Sequence, residues 1–167
     1  MIRVYMNDIK LLKAIENNAR TSLKELSLML NESEEDISKA LYRLEEDKTI
    51  CGFHTVINYD KTSVENVTAL IEVGATPRRD TGYDSIAEEI YKFPEVSTMY
   101  LMSGKSEFIV IIRGKTMKEV SDFVSRKLAV IEGVNRTETY FVLKQYKVEG
   151  IVLEDEETED NRLRVKL

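Results

Sequence analysis

The chain of 167 residues is 43% hydrophobic and 32% charged, a composition typical of a soluble globular protein. No apolar run approaches the roughly 18 residues needed to span a membrane, and the first eight residues lack the apolar core of a signal peptide. We therefore expect a cytoplasmic protein without a membrane partner. A single cysteine, Cys51, and a single histidine, His54, allow neither an internal disulfide nor a four-ligand Cys/His zinc site, so no metal or other cofactor is expected.

The net charge of −6 is unevenly distributed along the chain. Residues 1–60 carry 8 basic and 11 acidic groups, residues 61–149 carry 13 of each, and residues 150–167 carry 3 basic and 6 acidic groups. Proteins that bind nucleic acid usually present a basic surface. The mildly acidic first sixty residues therefore count against nucleic-acid binding by that part of the chain.

Three short helices are predicted in the first fifty residues. The first covers Asp8 to Asn18, the second follows a capping box formed by Ser22 and Glu25, and the third runs from Ser33 to about Asp47. Two short helices joined by a tight turn behind a supporting helix form a helix-turn-helix. The apolar residues expected to point inward are Ile9, Leu12, Ile15, Leu23, Leu26, Leu30, Ile37, Ala40, Leu41 and Leu44.

A small β-hairpin, the wing, is predicted after the third helix. Two β-prone stretches meet around Gly52 within the segment 49–58, which completes a winged helix-turn-helix domain over residues 1–60. Cys51 is expected to be a small buried hydrophobe. His54 is more simply a surface or hydrogen-bonded residue than a DNA contact from the wing.

The second half of the chain predicts an α+β, ferredoxin-like domain over residues 64–149. Strands are expected at 67–73, 96–102, 108–113 and 137–147, with helices before Pro94 and between Met117 and Ile131. The order βαββαβ is the ferredoxin-like pattern. Residues 150–167 form a predicted tail, in which an acidic linker (154–160) precedes a strand-like end (162–167).

Several short segments, taken together and in this order, resemble the Lrp/AsnC family of feast/famine transcriptional regulators. The resemblance covers nearly the whole chain, although each segment alone has little specificity. The segments are DIKLL at 8–12, NAR at 18–20, EL at 25–26, YRLEEDKTI at 42–50, YLMSG at 100–104, IEGV at 131–134, TET at 137–139 and DNRL at 160–163.

The resemblance implies a sequence-specific DNA-binding regulator of amino-acid or nitrogen metabolism. Members of the family form homodimers through the α/β domain, and the dimers often assemble into tetramers or octamers. A small effector, usually an amino acid, binds between dimers near the loop that joins the second and third strands.

Two other functions are compatible with this two-domain arrangement. The chain could be an effector-binding partner subunit that does not bind DNA, for which the acidic third helix would be the discriminating feature. It could also resemble decarboxylases with the same two domains, whose acid–base chemistry would need histidines and arginines in one pocket. Because the only histidine lies on the predicted wing, we do not expect an enzyme.

The candidate DNA-binding residues lie on the third helix, opposite its apolar face, together with Ser22 at the start of the second helix. An arginine can bond guanine bidentately and a lysine can neutralise a phosphate. Loss of the arginine is expected to abolish specific binding with little effect on stability. The alternative is a solvated helix with an ion pair between Glu35 and Lys39. The third-helix candidates are Ser38, Lys39, Tyr42 and Arg43.

The candidate effector-binding residues form the loop between the second and third strands. The family usually has Gly, any residue, an aromatic residue and Asp here, whereas this chain has Gly104, Lys105, Ser106 and Glu107. Backbone amides around Gly104 are expected to bind the effector's carboxylate and Glu107 its ammonium. Because the aromatic residue is missing, a larger or polar effector is favoured. The alternative is a plain turn in which Gly104 supplies a positive φ. The full set is Leu101, Met102, Ser103, Gly104, Lys105, Ser106 and Glu107.

Overall fold

The computed structural model describes residues 6–154 of the chain, which divide into two compact units between Thr55 and Val56. Residues 56–60, placed with the first domain in the sequence analysis, belong to the second unit. No helix in the described range is long and apolar enough to cross a membrane.

The first unit contains three helices, and each boundary has a local cause. Helix α1 covers Met6–Asn17, α2 covers Leu23–Leu30 and α3 covers Glu34–Glu46. The capping box at the start of α2 forms as predicted, because the Ser22 side chain accepts from the Glu25 amide and the Glu25 side chain accepts from the Ser22 amide. Asn31 adopts a left-handed conformation with φ 55° and ends α2, so α3 follows after a tight turn.

The core of this unit differs from the prediction on two helices. Ile9 and Leu23 were expected inside, but both are exposed. Helix α1 turns the row Asp8, Leu11 and Ile15 inward instead, since these positions are three and four residues apart. The buried hydrophobic residues of the unit are Leu11, Ile15, Leu26, Ile37, Leu44 and Ile50.

The predicted wing hairpin is not formed. Residues 51–58 contain no strand, and Gly52 does not adopt the positive φ that a tight two-residue hairpin requires at its centre. The chain instead leaves α3 through Lys48, whose φ is 62°, and the Ile50 amide donates to the Leu44 carbonyl at 2.8 Å. Cys51, expected to be buried, is exposed.

The second unit is built on a four-stranded antiparallel sheet of β1 (Val67–Ala75), β2 (Val96–Leu101), β3 (Phe108–Gly114) and β4 (Val134–Phe141), with the strand order β2-β3-β1-β4. This is the predicted ferredoxin-like arrangement, with both helices as the crossover connections. A short 3₁₀ turn at Tyr59–Lys61 precedes it. The two helices are α4 (Asp84–Tyr91) and α5 (Met117–Phe123).

Three predicted boundaries are corrected in this unit. The helix expected to run to Ile131 changes after α5 into a π-helical turn, Val124–Leu128. The last long strand begins and ends earlier than expected. A separate two-stranded ladder then pairs β5 (Lys147–Val148) with β6 (Ile151–Val152), so the expected tail boundary at residue 150 falls inside this hairpin. Residues 155–167, with most of the acidic run and the strand-like end, lie outside the described residues.

The sheet has one face covered by the helices and one face that the described residues of this unit leave open. Alternation along the central strand β1 directs Ala69, Ile71 and Val73 into the core with α4 and α5. The strand register directs Leu70 and Glu72 to the other face. The other side chains that the register places on this open face are Thr68, Thr98, Tyr100, Ile109, Ile111, Arg113, Arg136, Glu138 and Tyr140.

Gly133, which precedes β4, provides a test of this packing. Its φ is 96°, and a Cβ at this position would lie 2.7 Å from Cδ1 of Ile86 in the core. We expect Gly133→Ala to lower the free energy of unfolding by about 2–4 kcal/mol, through the left-handed backbone and overpacking together. Urea denaturation measures this change.

Gly104→Ala is the matched control in the same unit. A Cβ there meets no atom within 4 Å and the backbone is not left-handed, so the cost should stay within about 0.5 kcal/mol. Equal effects of the two substitutions would contradict the described packing of Gly133.

Candidate functional site

The surface of α3 presents only part of the predicted DNA-binding set to solvent. Ser38, Lys39 and Tyr42 are exposed on one face, as expected, and Tyr42 is 67% exposed. The Lys39 ammonium, however, lies 2.6 Å from a carboxylate oxygen of Glu35. A base expected to contact phosphate is therefore paired within its own helix, although both partners are exposed.

Arg43 has a structural role that the sequence analysis missed. Its Nη2 atom lies 2.7 Å from Oδ1 of Asp8, whose side chain is only 6% exposed, whereas that of Arg43 is 40% exposed. The pair joins α3 to α1. This contact makes us replace the expectation that loss of Arg43 leaves stability nearly unchanged with a predicted loss, because the substitution removes an ion-pair partner of a nearly buried carboxylate.

The Ser22 hydroxyl is occupied in the capping box. It donates to Oε2 of Glu25 at 2.7 Å, and these hydrogen bonds, the Ser22 amide's first among them, hold the pKa of Glu25 below its usual value. The hydroxyl of Ser22 therefore has a structural function in the capping box. Its contact with DNA remains a prediction.

The loop between β2 and β3 projects from the sheet. Leu101, Met102, Ser103, Gly104 and Lys105 are all exposed, and the Met102 amide closes the loop by donating to the Glu107 carbonyl at 2.8 Å. The alternative explanation of Gly104 as a positive-φ turn residue is wrong, because its φ is not positive. Within the described residues, the backbone amides at the tip of the loop, those of Ser103, Gly104 and Lys105, donate no backbone hydrogen bond. They are therefore available to bind a carboxylate.

Ser106 departs from the expected accessible tip, because it is only 5% exposed. Its hydroxyl donates to Oε2 of Glu72 at 3.0 Å and accepts from Nη2 of Arg136 at 2.8 Å. Glu107 is also engaged, since its Oε2 accepts from the Ala75 amide at 2.8 Å. The end of the loop is thus fixed to β1 and β4.

Sequence reasoning missed Glu72 and Arg136 as members of this group. A signal was present for Glu72, because a carboxylate interrupts the apolar sequence of a central strand that is covered on one face. Nothing in the sequence of β4 places Arg136 beside residue 106, since that contact depends on the order of strands in the sheet.

A third carboxylate, Glu138, lies directly opposite Glu72 in the β1–β4 register on the open face. Its hydrogen bond with the Tyr140 hydroxyl is the main cause of a raised tyrosine pKa. Exposed Tyr100 and half-buried Ile109 on the neighbouring strands extend this face as an apolar surface.

Comparisons with known proteins agree with this geometry. The family model described as the Lrp/AsnC ligand binding domain matches residues 68–152. The uncharacterized HTH-type transcriptional regulator YugG of Bacillus subtilis is 38% identical over 148 residues, 88% of this chain and 89% of that protein. The proline dehydrogenase transcriptional activator of Rhizobium radiobacter is 25% identical over 144 residues, 86% of this chain and 92% of that protein.

A solved structure has the same fold. The transcriptional regulator NMB0573 from Neisseria meningitidis, crystallised as a complex with L-Met, superposes with a TM-score of 0.68 at 24% identity, covering 87% of this chain and 94% of that one.

The curated relatives that match this chain over both its helix-turn-helix and its ferredoxin-like unit are transcriptional regulators, so the chain falls in the class of DNA-binding transcriptional regulators. Within that class, the chain belongs to the Lrp/AsnC family.

The pair formed by Asp8 and Arg43 gives a testable consequence for the first unit. We expect Arg43→Met to lower the free energy of unfolding by about 1–3 kcal/mol, because the nearly buried Asp8 carboxylate loses this partner. Adding Asp8→Asn should recover part of that loss, since the neutral amide costs less to bury.

Lys39→Met serves as the control in this measurement. Both side chains of its ion pair with Glu35 are exposed. The free energy of unfolding, measured by urea denaturation, should therefore change by no more than about 0.5 kcal/mol. A loss for Arg43→Met as small as that of the control would show that the pair with Asp8 does not hold α1 against α3.

Proposed function

We propose that the protein binds double-stranded DNA through α3 and regulates transcription in the cytoplasm in response to an amino-acid-like effector bound at the β2–β3 loop. The observation that supports DNA binding is the helix-turn-helix itself. Its second helix is α3, on which Ser38, Lys39 and Tyr42 share one exposed face. Such a helix reads base edges from the major groove, and its basic residues contact phosphates.

The charges of α3 make binding weaker than that of a typical basic helix. Three acidic residues occupy its first turn, where they stabilise the positive end of the helix dipole but repel phosphate. Because Lys39 is paired with Glu35, contact with DNA requires exchange of a carboxylate partner for a phosphate. Affinity should therefore be modest and strongly dependent on salt.

A second candidate function is favoured by the same ion pairs. Lys39 and Arg43 are both engaged with carboxylates, which suits a partner subunit that binds effector without binding DNA. A gel shift with the DNA upstream of the chain's own gene separates the two functions. Retardation at low salt supports the regulator, and its absence at micromolar protein supports the partner subunit.

Homodimers formed through the open face of the sheet, and larger assemblies of those dimers, are the proposed quaternary structure. The face carries exposed Tyr100 and Tyr140 together with half-buried Leu70, Ile109 and Ile111. A contiguous apolar surface of this kind is typical of an interaction site. The family match supports regulation without a catalytic step of its own.

The pairing of Lys39 with Glu35 generates a test of the DNA-binding face. Glu35→Gln removes a negative charge near phosphate and releases the ammonium, so DNA affinity should increase roughly threefold at 50 mM salt, and most of this gain should be lost at 200 mM salt. The log–log salt slope should become steeper by about 0.9, as for one added phosphate contact. Fluorescence anisotropy with a labelled duplex measures both quantities.

Glu88→Gln is the matched control, because Glu88 also pairs with a lysine four residues later, Lys92, at 2.6 Å on α4. It should leave DNA affinity unchanged, whereas Lys39→Ala should weaken binding. If Glu35→Gln and Glu88→Gln have the same effect, α3 is not the DNA-binding helix.

The proposed dimer is tested by a charge on the open face. Ile109→Glu should convert the protein to a monomer at micromolar concentration, because a dimer through this face would bury the new carboxylate. Light scattering coupled to size-exclusion chromatography measures the mass. Val130→Glu, at an exposed position after the helices, is the control and should leave the mass unchanged. A parent protein that is already monomeric would overturn the proposal.

A further inference from the structure

The three helices of the first unit border an apolar groove of about 200 Å³ that the function proposed above does not use. Its apolar lining comes from α1, from the end of α2 and from the inner face of α3: Leu11, Leu30, Ile37 and Ala40. Leu11 and Ile37 belong to the buried core of this unit, and Leu30 and Ala40 pack against that core. An apolar side chain placed in the groove would therefore extend the core.

Three carboxylates also border the groove, those of Asp8, Glu32 and Asp36, and none of the described residues that line it is basic. Asp8 is paired with Arg43, and Asp36 accepts from the Ser33 hydroxyl at 2.6 Å. These contacts fix two of the carboxylates beside the groove, where their charge attracts a cation and repels an anion. The favoured occupant is therefore an apolar side chain with a positive charge next to it.

The chain itself supplies such a segment directly before α1. Residues 1–5 have the sequence MIRVY, in which apolar residues flank Arg3. Counting back four residues from Asp8 continues the inward row of Asp8 and Leu11 to Val4. The groove begins beside Asp8 in the first turn of α1, and five residues can reach at most about 17 Å, so no further linker is required.

We propose that residues 1–5 dock in this groove, with the Val4 side chain between Leu11 and Ile37 and the Arg3 charge beside the carboxylates. The docked segment would hold α1 against the turn that joins α2 to α3. Because α3 is the helix proposed to read DNA, the segment then acts as a positioning element for that helix. The docking itself does not require DNA binding, whereas its effect on DNA affinity rests on the function proposed above.

Disulfide formation tests the docking directly in the full chain. In a Cys51→Ser background, which removes the exposed native thiol, Val4→Cys is combined with one of two partners. One partner is Ala40→Cys in the groove, and the other is Leu28→Cys, at a position on α2 that is 76% exposed and does not line the groove. A disulfide requires Cα atoms within about 7 Å, so in oxidised glutathione the groove pair should close about tenfold faster than the control pair.

Mass spectrometry of the unreduced protein measures both closure rates. In urea, where the groove is lost, the two pairs should close at similar rates. Equal rates in the native protein would overturn the proposal.

A neutral substitution measures the contribution of the docked side chain to stability without adding charge. Val4→Ser removes the apolar side chain from the groove, and burial of one valine corresponds to about a tenfold change in the folding equilibrium. Amide hydrogen exchange of peptides from α1 and α3 should therefore become about tenfold faster. Leu28→Ser is the matched control, since it changes an exposed apolar side chain to the same residue, and it should alter exchange by no more than about threefold.

The outcomes separate this inference from the DNA-binding function. Faster exchange in Val4→Ser, together with rapid closure of the groove pair, supports docking whether or not the protein retards DNA. If Val4→Ser exchanges like the control but binds DNA more weakly in an anisotropy titration, the segment contacts DNA instead of the groove and the proposal is overturned. If docking is shown and Val4→Ser keeps the parent's DNA affinity, docking stands and the positioning of α3 by this segment is overturned.

Discussion

The pairing of β1 with both β3 and β4 is the constraint on which the second unit depends. Because side chains alternate along a strand, one register determines which residues of three strands enter the core and which occupy the open face. A shift by one residue would expose Ile71 and Val73 and bury Glu72. The apolar contacts of β1 with α4 and α5 therefore also fix the positions of Ser106, Glu107 and Arg136, although these polar residues contribute little to the core.

In the first unit, two ion pairs determine how the basic residues of α3 could contact DNA. Asp8 and Arg43 join two helices, so one of the two basic residues predicted to read DNA also supports the fold. Lys39 is paired with a carboxylate on its own helix. A regulator with such a helix gains specificity only if base contacts and DNA shape compensate for weak attraction to phosphate. The same features would suit a protein that binds effector and has no DNA-binding role.

The sequence was sufficient to predict elements whose stability is local or periodic. The capping box at Ser22, the inward face of α3 and the alternation of β1 all depend on residues close together in the chain. The wing hairpin was predicted wrongly, because β-prone residues form strands only where a turn and a hydrogen-bonding partner exist. Ile9 was misplaced because apolar spacing did not reveal that Asp8 occupies the buried position through its partner on α3.

The candidate effector site shows the same distinction between local and long-range information. The loop from Leu101 to Glu107 could be found from its sequence and its resemblance to the family, and the fold places it between two strands as expected. The burial of Ser106 and its contact with Arg136 depend on residues thirty positions apart, which the sheet order brings together. The spacing of residues along a single sequence does not reveal which strands lie side by side, so this contact could not be predicted.

The central claim is that the chain is a DNA-binding regulator whose affinity responds to an amino acid. Its most direct test is an anisotropy titration of the duplex upstream of its own gene against a scrambled duplex, with and without a mixture of the twenty L-amino acids. The account predicts tighter binding to the upstream duplex at low salt and a change in that affinity when amino acids are added. Equal affinity for both duplexes, unaltered by the amino acids, would contradict it.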